Sequence, residues 1–404
     1  MAERESDAGA TMMRVLHEAA PKAPDDHASL WREILRLAAP GAAATASSVT
    51  LSNPDLVRAA FLDAAGDYSV CGYAARAAKS FGSIYLCLDA GPEYEAQSAK
   101  ANAAIGAVSA PDAFGVALAA TRAILAERAY DVAGVQDLSD AMLAAIASYW
   151  FDVPDGAFVL AGGWRLLDVF PPVRCPGDFA APSGYIFIPE PPFLVAAIGQ
   201  WLGGMLHAHV AEFVAAHRAP GVAPKGSIAR ALFEALPAHE DDDLLTRTLI
   251  GVMMGMLPTI DGNFTAVLRA WAADGSIARL QAALRASGEA DAYARAAAVL
   301  ETPLKQAMQA APTPSAVWRT ATRDHTIGGA CPVHVKAGDK VTFAIAEATR
   351  ADLAAGVTDV TAIFGGDRST TPHATHACPG YAMAMGVLLG AINAVLEPTP
   401  GATV

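Results

Sequence analysis

Cys378 is the residue of this chain whose type and position most clearly offer chemistry. It lies in the run HACPG, residues 376–380, directly before the apolar segment 381–396, which has the composition of a helix. Free backbone N–H groups and the helix dipole at such an N-terminal edge stabilise a thiolate. The segment therefore predicts a reactive or metal-bound sulfur. A buried, inert cysteine is one alternative, and a zinc ion held together with His373 and His376 is another.

The surroundings of Cys378 favour sulfur ligation of a haem iron. His376 stands two residues before the cysteine and Gly380 two after it, as in the haem-binding loop of a known family. Thr371 and Ala374 replace the phenylalanine and the first glycine of that loop. Further matches follow in the family's order, at 67–70, 88–94, 312–324, 327–341 and 364–368. The sequence resembles the cytochrome P-450 family over roughly residues 50–397.

The resemblance implies that the chain binds haem b with Cys378 as the axial iron ligand. A thiolate ligand pushes electron density toward the iron and favours O–O cleavage. Five further residues are implied in cofactor binding: His376, Arg319, Tyr94, Lys100 and Gly380. Among these, Tyr94 stands where the family often has a histidine, and Lys100 could reach a propionate but is better explained as a surface lysine.

One departure from the family pattern concerns the helix that precedes residue 312. The family carries Glu-x-x-Arg there, whereas this chain has Gln306 and Gln309 at the matching positions. Amides thus replace an ion pair, and Arg368 is expected to lack its usual charged partners. Amide hydrogen bonds can substitute for a buried ion network, so we expect the fold to survive the change.

A second departure concerns the helix expected above the iron. Dioxygen-activating members place an acid next to a threonine, a pair that relays protons, and the segment 255–263 has no such pair. Pro258 resembles the proline of peroxide-using members, but Leu257 stands where those members carry an arginine. The residues predicted to act above the iron are Thr259, Asp261 and Asn263. The alternative is that the last two cap or fray the helix at a kink around Pro258.

Composition and charge exclude several classes of protein. The 404 residues carry a formal net charge of −13, which argues against a nucleic acid as the main partner. The five cysteines are odd in number and form no CxxC pair, so neither a disulfide framework nor a structural zinc site is expected. The N-terminus is charged, and the apolar stretches are short or interrupted, which predicts a cytoplasmic protein without a membrane span.

The hydrophobic periodicity predicts a mainly α fold with a small β portion, as in a single-domain cytochrome P-450. Residues 1–25 are predicted to be flexible, and residues 26–404 to form one domain. Helices are predicted at 29–37, 93–108, 111–129, 138–151, 193–218, 227–236, 241–271 with a kink near Pro258, twice more before residue 311, and at 381–396. Strands are predicted at 49–53, 83–89 and within 317–344, and a long cavity loop at 170–193.

These features predict an oxidoreductase that acts on a small or medium apolar molecule. With dioxygen as the oxidant it would need an external electron donor of the ferredoxin type, because the chain has no flavin or iron–sulfur motif. The missing acid–alcohol pair favours an alternative without a redox partner: a peroxygenase, or a hydroperoxide isomerase or dehydratase. A haem-binding protein without catalytic activity is the third possibility that the lost Glu-x-x-Arg motif leaves open.

Overall fold

Helices dominate the structure, and its few strands form small sheets. The computed structural model describes residues 48–127, 134–152, 175–191, 193–237, 242–288, 291–329, 331–370 and 374–397. Within these ranges the strands form one four-stranded sheet and one two-stranded hairpin. The prediction of a mainly α fold with a small β portion is therefore confirmed. The predicted flexible segment 1–25 and the predicted helix 29–37 lie outside the described residues.

Most helices begin and end close to the predicted bounds. The described helices are α1 (Pro54–Leu62), α2 (Cys71–Ala77), α3 (Pro92–Gly106), α4 (Ala110–Glu127), α5 (Val135–Phe151), α6 (Cys175–Phe187), α7 (Phe193–His217), α8 (Ser227–Ala235), α9 (Asp242–Ala273), α10 (Ser276–Ala286), α11 (Ala292–Ala310), α12 (Ile345–Ala354) and α13 (Tyr381–Leu396). Side-chain caps start two of them: Asn53 accepts the N–H of Asp55 at 2.9 Å, and Asp291 accepts that of Ala294 at 3.1 Å.

The larger sheet carries one of the predicted site residues. Its strand order is β1 (Ser48–Leu51), β6 (Lys340–Phe343), β3 (Val317–Ala321) and β2 (Tyr68–Ser69). β1 runs parallel to β6, and the other pairs are antiparallel, with Arg319 opposite Val341. Side chains alternate between the faces of a strand, so Arg319 and the buried Trp318 point in opposite directions. β4 (His325–Ile327) and β5 (Val333–Val335) form the separate hairpin.

Helix α9 is the central helix and packs against α5, α6, α7, α11 and α13. It is continuous from Asp242 to Ala273 with Pro258, the site of the predicted kink, inside it. Among the described helices α9 is long and apolar enough to cross a membrane, and α3 with α4 would be so only as one bent span. However, 61% of the apolar window of α9 is buried inside the protein, which is typical of a core helix.

Helix α13, which follows Cys378, packs closely against α4. Two glycines on α13 make this approach possible. A Cβ at Gly386 would lie 2.3 Å from the carbonyl oxygen of Ala110, and one at Gly390 would lie 2.3 Å from that of Phe114. Main-chain atoms in a packed interior cannot move aside without disturbing the helix. At the present distance between α13 and α4, only glycine therefore fits at these two positions.

Two segments differ from their predicted structure. Residues 83–89 were expected to form a strand but contain a 3₁₀ turn, Tyr85–Cys87. Within the predicted loop 170–193, α6 is a helix with Pro182 inside it. Arg76 donates hydrogen bonds to four main-chain carbonyls at its end and just beyond, those of Tyr185, Ile186, Ile188 and Pro189. These long-range bonds satisfy carbonyls that a helix C-terminus leaves free.

Candidate functional site

A deep cavity lies between α9, the start of α13 and the larger sheet. It encloses about 1280 Å³ of space without protein atoms, part of it open to solvent. Its walls come from α9, from the segment 313–319, from the 3₁₀ turn Thr361–Phe364 and from the loop 374–380, here called the Cys378 loop. Most of the lining side chains are apolar. Phe187 is the one described residue of the predicted loop 170–193 that lines the cavity.

The Cys378 thiol lines this cavity and is held by its own loop. The Cys378 N–H donates to the Phe364 carbonyl at 2.8 Å, and the Gly380 N–H donates to the Cys378 Sγ at 3.3 Å. Burial raises the pKa of the Cys378 thiol, while the Gly380 N–H and the Arg368 guanidinium act in the opposite direction. Helix α13 begins at Tyr381, as predicted, so Cys378 lies three residues before its first residue. A cation in the cavity would favour the thiolate, since an opposite charge nearby stabilises the charged form.

Two glycines let the preceding turn approach the Cys378 loop. Gly365 and Gly366 have φ angles of +68° and +124°, which side chains rarely adopt. A Cβ at Gly366 would lie only 2.8 Å from the Cβ of Ala374. Arg368 completes the turn by donating from Nη1 to the Ala377 carbonyl at 2.7 Å. Together these contacts fix the backbone on both sides of the cysteine.

His376 carries a buried polar atom without a partner at the edge of the same cavity. Among the described residues its Nδ1 has no hydrogen-bond partner. The Tyr94 and His376 rings pack in a T-shaped arrangement, with 5.0 Å between ring centroids. Burial, followed by the charges of Arg319 and Arg368, lowers the pKa of His376 to about 3. A neutral, buried imidazole nitrogen beside two guanidinium groups fits a site that accepts a polar, anionic group.

Arg319 provides a positive charge in the cavity wall. Its Nη1 donates to the Tyr73 hydroxyl at 2.7 Å and to the Trp318 carbonyl at 2.8 Å. The guanidinium carbon lies 5.1 Å from the centroid of the Tyr73 ring. These contacts hold the group in place, and the residue lines the cavity together with His376. The structure thus brings His376, Arg319 and Cys378 to one cavity, as the sequence predicted for a cofactor site.

Two of the three predicted catalytic residues also line the cavity, on the α9 side. The Thr259 hydroxyl donates to the Gly255 and Met256 carbonyls of its own helix, at 2.7 and 3.0 Å. Asn263 Nδ2 donates to the Thr313 carbonyl at 2.7 Å, and Asn263 Oδ1 accepts the Thr313 N–H at 3.1 Å. Both side chains therefore satisfy main-chain groups in this structure.

Three predicted site residues lie outside the cavity lining. Asp261 accepts hydrogen bonds from Gln136 Nε2 at 2.8 Å and Ser139 Oγ at 2.6 Å, so its carboxylate faces α5. The Tyr94 hydroxyl donates to the Thr375 carbonyl, so Tyr94 contacts the Cys378 loop without lining the cavity. Lys100 lies on α3 and does not reach the lining either. Gly380, in contrast, lines the cavity, and its N–H is the group that contacts the sulfur.

Several cavity residues were not predicted from the sequence. They include Tyr73, Tyr85, Val252, Met256 and Thr313. The signal for the two on α9 was the spacing 252, 256, 259, 263, which places these residues on one helix face. The other three come from a short helix, a 3₁₀ turn and a loop, where periodicity carries no information. Among the described residues, no group of three or more His, Cys, Asp or Glu side chains could hold a metal ion.

The fold is similar to those of solved structures, although the sequence identity to them is low. No protein-family description matches the chain, and no curated protein matches it in sequence. A mutant of P-450 EryK in complex with erythromycin B is 15% identical with a TM-score of 0.60, over 92% of this chain and 88% of that one. P-450 BioI with an acyl carrier protein ligated to hexadec-9Z-enoic acid is 13% identical with a TM-score of 0.61, over 92% and 91%. Ligand-free CYP164A2 of Mycobacterium smegmatis is 17% identical with a TM-score of 0.59, over 97% and 93%. The chain therefore has the cytochrome P-450 fold.

Proposed function

We propose that this protein is a haem-thiolate oxidoreductase of the cytochrome P-450 kind. The observation that carries the proposal is the convergence of a thiol, an unpartnered imidazole nitrogen and a guanidinium on one cavity of a cytochrome P-450 fold. Cys378 would ligate the iron of haem b, and His376 and Arg319 would bind its propionates. An iron cation would offset the burial that raises the pKa of the Cys378 thiol.

The residues of the cavity fit both the iron and the propionates of this cofactor. The thiol supplies the soft ligand that a haem-thiolate iron requires, and the Gly380 N–H bond to its sulfur stabilises the ligating thiolate. The buried Nδ1 of His376 lacks a partner that a propionate oxygen would supply. When bound, haem supplies a redox-active iron whose thiolate ligand favours O–O cleavage.

The α9 side of the cavity indicates an apolar substrate. Val252, Met256 and Ile260 line it, and Leu388 and Met383 of α13 add further apolar surface. A small or medium apolar molecule would be held there mainly by exclusion of water. If dioxygen is the oxidant, an external donor of the ferredoxin type would supply the electrons.

A second candidate is a reaction that starts from a peroxide or an organic hydroperoxide. Among the described residues that line the cavity there is no carboxylate, and Asp261 faces α5 instead. The Thr259 hydroxyl and the Asn263 amide are bonded to the main chain, so neither is free to relay a proton in this arrangement. A substrate that brings its own O–O bond avoids the proton delivery that dioxygen activation requires.

The proposal is tested first by ligation and then by turnover. We expect the reduced protein, loaded with haem, to show the thiolate-type carbon-monoxide difference spectrum, and Cys378→Ala to lose it. Cys71→Ala, which removes an exposed free cysteine, is the matched control and should leave the spectrum unchanged. A wild-type spectrum typical of nitrogen ligation, or an unchanged spectrum in Cys378→Ala, would contradict the proposal.

Turnover then separates the two candidates. Apolar test substrates are incubated with the haem-loaded protein and either hydrogen peroxide alone or dioxygen with a ferredoxin and its reductase. Product with peroxide alone favours the second candidate, and product only with the electron donor favours the first. A normal thiolate spectrum without product under either condition would indicate a haem-binding protein without catalytic activity.

A further inference from the structure

Tyr73 is a buried cavity residue that the sequence did not predict and the proposed reaction does not use. It lies on α2, is 3% exposed and lines the cavity. Its hydroxyl oxygen accepts the Trp318 N–H at 3.0 Å and an N–H of Arg319 Nη1 at 2.7 Å. A phenolic hydroxyl can accept two hydrogen bonds and donate one. Both acceptor positions are therefore filled, and the hydroxyl hydrogen has no acceptor among the described residues.

Packing of the Tyr73 ring fixes the position of this hydroxyl. The ring forms T-shaped arrangements with Phe187 and Trp318, with 5.0 and 5.1 Å between ring centroids. Trp318 in turn packs directly on Gly72, where a Cβ would lie 2.1 Å from the Cη2 atom of Trp318. Both hydrogen bonds to the Tyr73 hydroxyl come from β3, so the hydroxyl hydrogen points away from that strand. A group held in this way is preorganised to donate in one direction.

Arg319, beside this hydroxyl, has N–H groups that are not engaged. Its Nη1 donates to the Tyr73 hydroxyl and to the Trp318 carbonyl. Among the described residues, Arg319 Nε and Nη2 make no hydrogen bond, and no carboxylate forms an ion pair with the guanidinium. A guanidinium with free N–H groups in the wall of a mostly apolar cavity is suited to binding a carboxylate.

The free donors of Tyr73 and Arg319 lie side by side and match the two oxygens of one carboxylate. The Tyr73 oxygen is 2.7 Å from Arg319 Nη1, and both residues line the same cavity. An ionised carboxylate only accepts hydrogen bonds, so it needs donors at both of its oxygens when it is buried. Burial raises the pKa of the Tyr73 hydroxyl, against the opposite effect of the Arg319 charge, so the hydroxyl stays protonated and able to donate.

We propose that Tyr73 and Arg319 form a carboxylate-binding pair, in which the Tyr73 hydroxyl donates directly to a carboxylate that the Arg319 guanidinium also binds. The inference deepens the proposed function and rests on it, because it requires haem in the cavity. A haem propionate is the expected carboxylate, since Arg319 is proposed to bind one. The carboxylate of an amphiphilic substrate is a second source of the same chemistry. A hydrogen bond from a neutral hydroxyl to a carboxylate is charge-assisted and stronger than one between neutral groups.

Haem retention tests the propionate as the bound carboxylate. Tyr73→Phe keeps the ring and removes the hydroxyl, and the rate of haem transfer to an excess of apomyoglobin is followed by absorbance. We expect Tyr73→Phe to lose haem about tenfold faster than wild type, which corresponds to about 1.4 kcal/mol. Tyr68→Phe is the matched control, because it removes a hydroxyl that bonds to His325 Nε2 at 2.9 Å outside the cavity lining. This control should retain haem as the wild type does.

Two comparisons separate a direct contact from effects on packing or on Arg319. With haem dimethyl ester, whose propionate groups carry no charge, the difference between wild type and Tyr73→Phe should nearly disappear. In an Arg319→Met background, Tyr73→Phe should still speed the loss of ordinary haem, because the bond from Tyr73 to the propionate does not depend on Arg319. If Tyr73→Phe speeds haem loss equally with the ester, or has no effect in the Arg319→Met background, the inference is overturned.

Substrate binding tests the second source of the carboxylate. Haem-loaded wild type and Tyr73→Phe are titrated with dodecanoic acid and with dodecan-1-ol, and the change in haem absorbance gives the affinities. Weaker binding of the acid alone by Tyr73→Phe, with unchanged haem loss, would assign the pair to a substrate carboxylate. Unchanged haem loss together with unchanged affinity for the acid would overturn the inference. Failure of the wild type to bind haem through sulfur would instead refute the proposed function, so the two failures are distinguishable.

Discussion

Replacing Asn263 with alanine separates a structural role for this residue from a catalytic one. The Asn263 amide joins α9 to the segment after α11 through two hydrogen bonds to main-chain groups of Thr313, at 2.7 and 3.1 Å. Alanine would leave both groups without these partners, and an unsatisfied buried group costs about 1–3 kcal/mol. Thr313 is only partly buried, so water from the cavity would recover part of that cost. We expect the free energy of unfolding to fall by roughly 2–3 kcal/mol.

Urea unfolding of the haem-free protein measures this change, with the slope of the transition checked for constancy. Thr265→Val is the control on the same helix. The Thr265 hydroxyl donates only to carbonyls of α9, at 2.9 and 3.3 Å, so its removal should cost less than about 1 kcal/mol. If Asn263→Ala loses no more stability than the control and yet abolishes turnover with normal haem loading, the structural reasoning is refuted and Asn263 acts in catalysis.

Two further predictions concern stability away from the cavity, and urea unfolding checks both. Arg58 lies 2.7 Å from Asp352, whose side chain is 8% exposed, so Arg58→Ala should cost roughly 1–3 kcal/mol. Arg122→Ala, which removes a more exposed ion pair, should cost less than about 1 kcal/mol. Gly386→Ala should cost roughly 1–3 kcal/mol because its methyl group meets a carbonyl of α4 at 2.3 Å. Gly115→Ala, on the facing helix with open space around it, should stabilise by up to about 1 kcal/mol. Equal effects within either pair would contradict the contacts on which the predictions depend.

The helices that the sequence predicted are those whose signals are local. Caps such as Asn53, apolar periodicity and alanine-rich composition act within a few residues, and α3, α4, α7 and α13 lie close to their predicted bounds. Helix α6 was missed because its stabilisation is not local. Its prolines and glycines favour a loop, whereas Arg76, about a hundred residues earlier, satisfies the carbonyls at its end. Propensity cannot anticipate a partner that only the tertiary fold supplies.

Of the two amides predicted to stand in place of the Glu-x-x-Arg pair, Gln309 is buried and Gln306 is exposed. Gln309 Nε2 donates to the Thr349 and Val357 carbonyls, at 3.3 and 3.1 Å, and so ties α11 to α12 and the loop after it. Its Oε1, in contrast, is buried and has no hydrogen-bond partner among the described residues. Arg368 takes a separate role and donates to the Ala377 carbonyl. Gln309 and Arg368 thus make separate contacts, and the bond from Arg368 supports the Cys378 loop.

The phase of α9 explains why the sequence predicted only part of the cavity. Thr259 and Asn263 are four residues apart and share a helix face, whereas Asp261 is two residues from each and therefore about 200° around the axis. The resemblance to the family predicted that all three residues lie above the iron. Geometry divides them, and the carboxylate joins α9 to α5 through Gln136 and Ser139. A carboxylate bonded in this way stabilises the helix pair and does not supply protons to the cavity. An acid in the segment is therefore not by itself a sign of a proton relay, because the helix phase decides which side chains face the cavity.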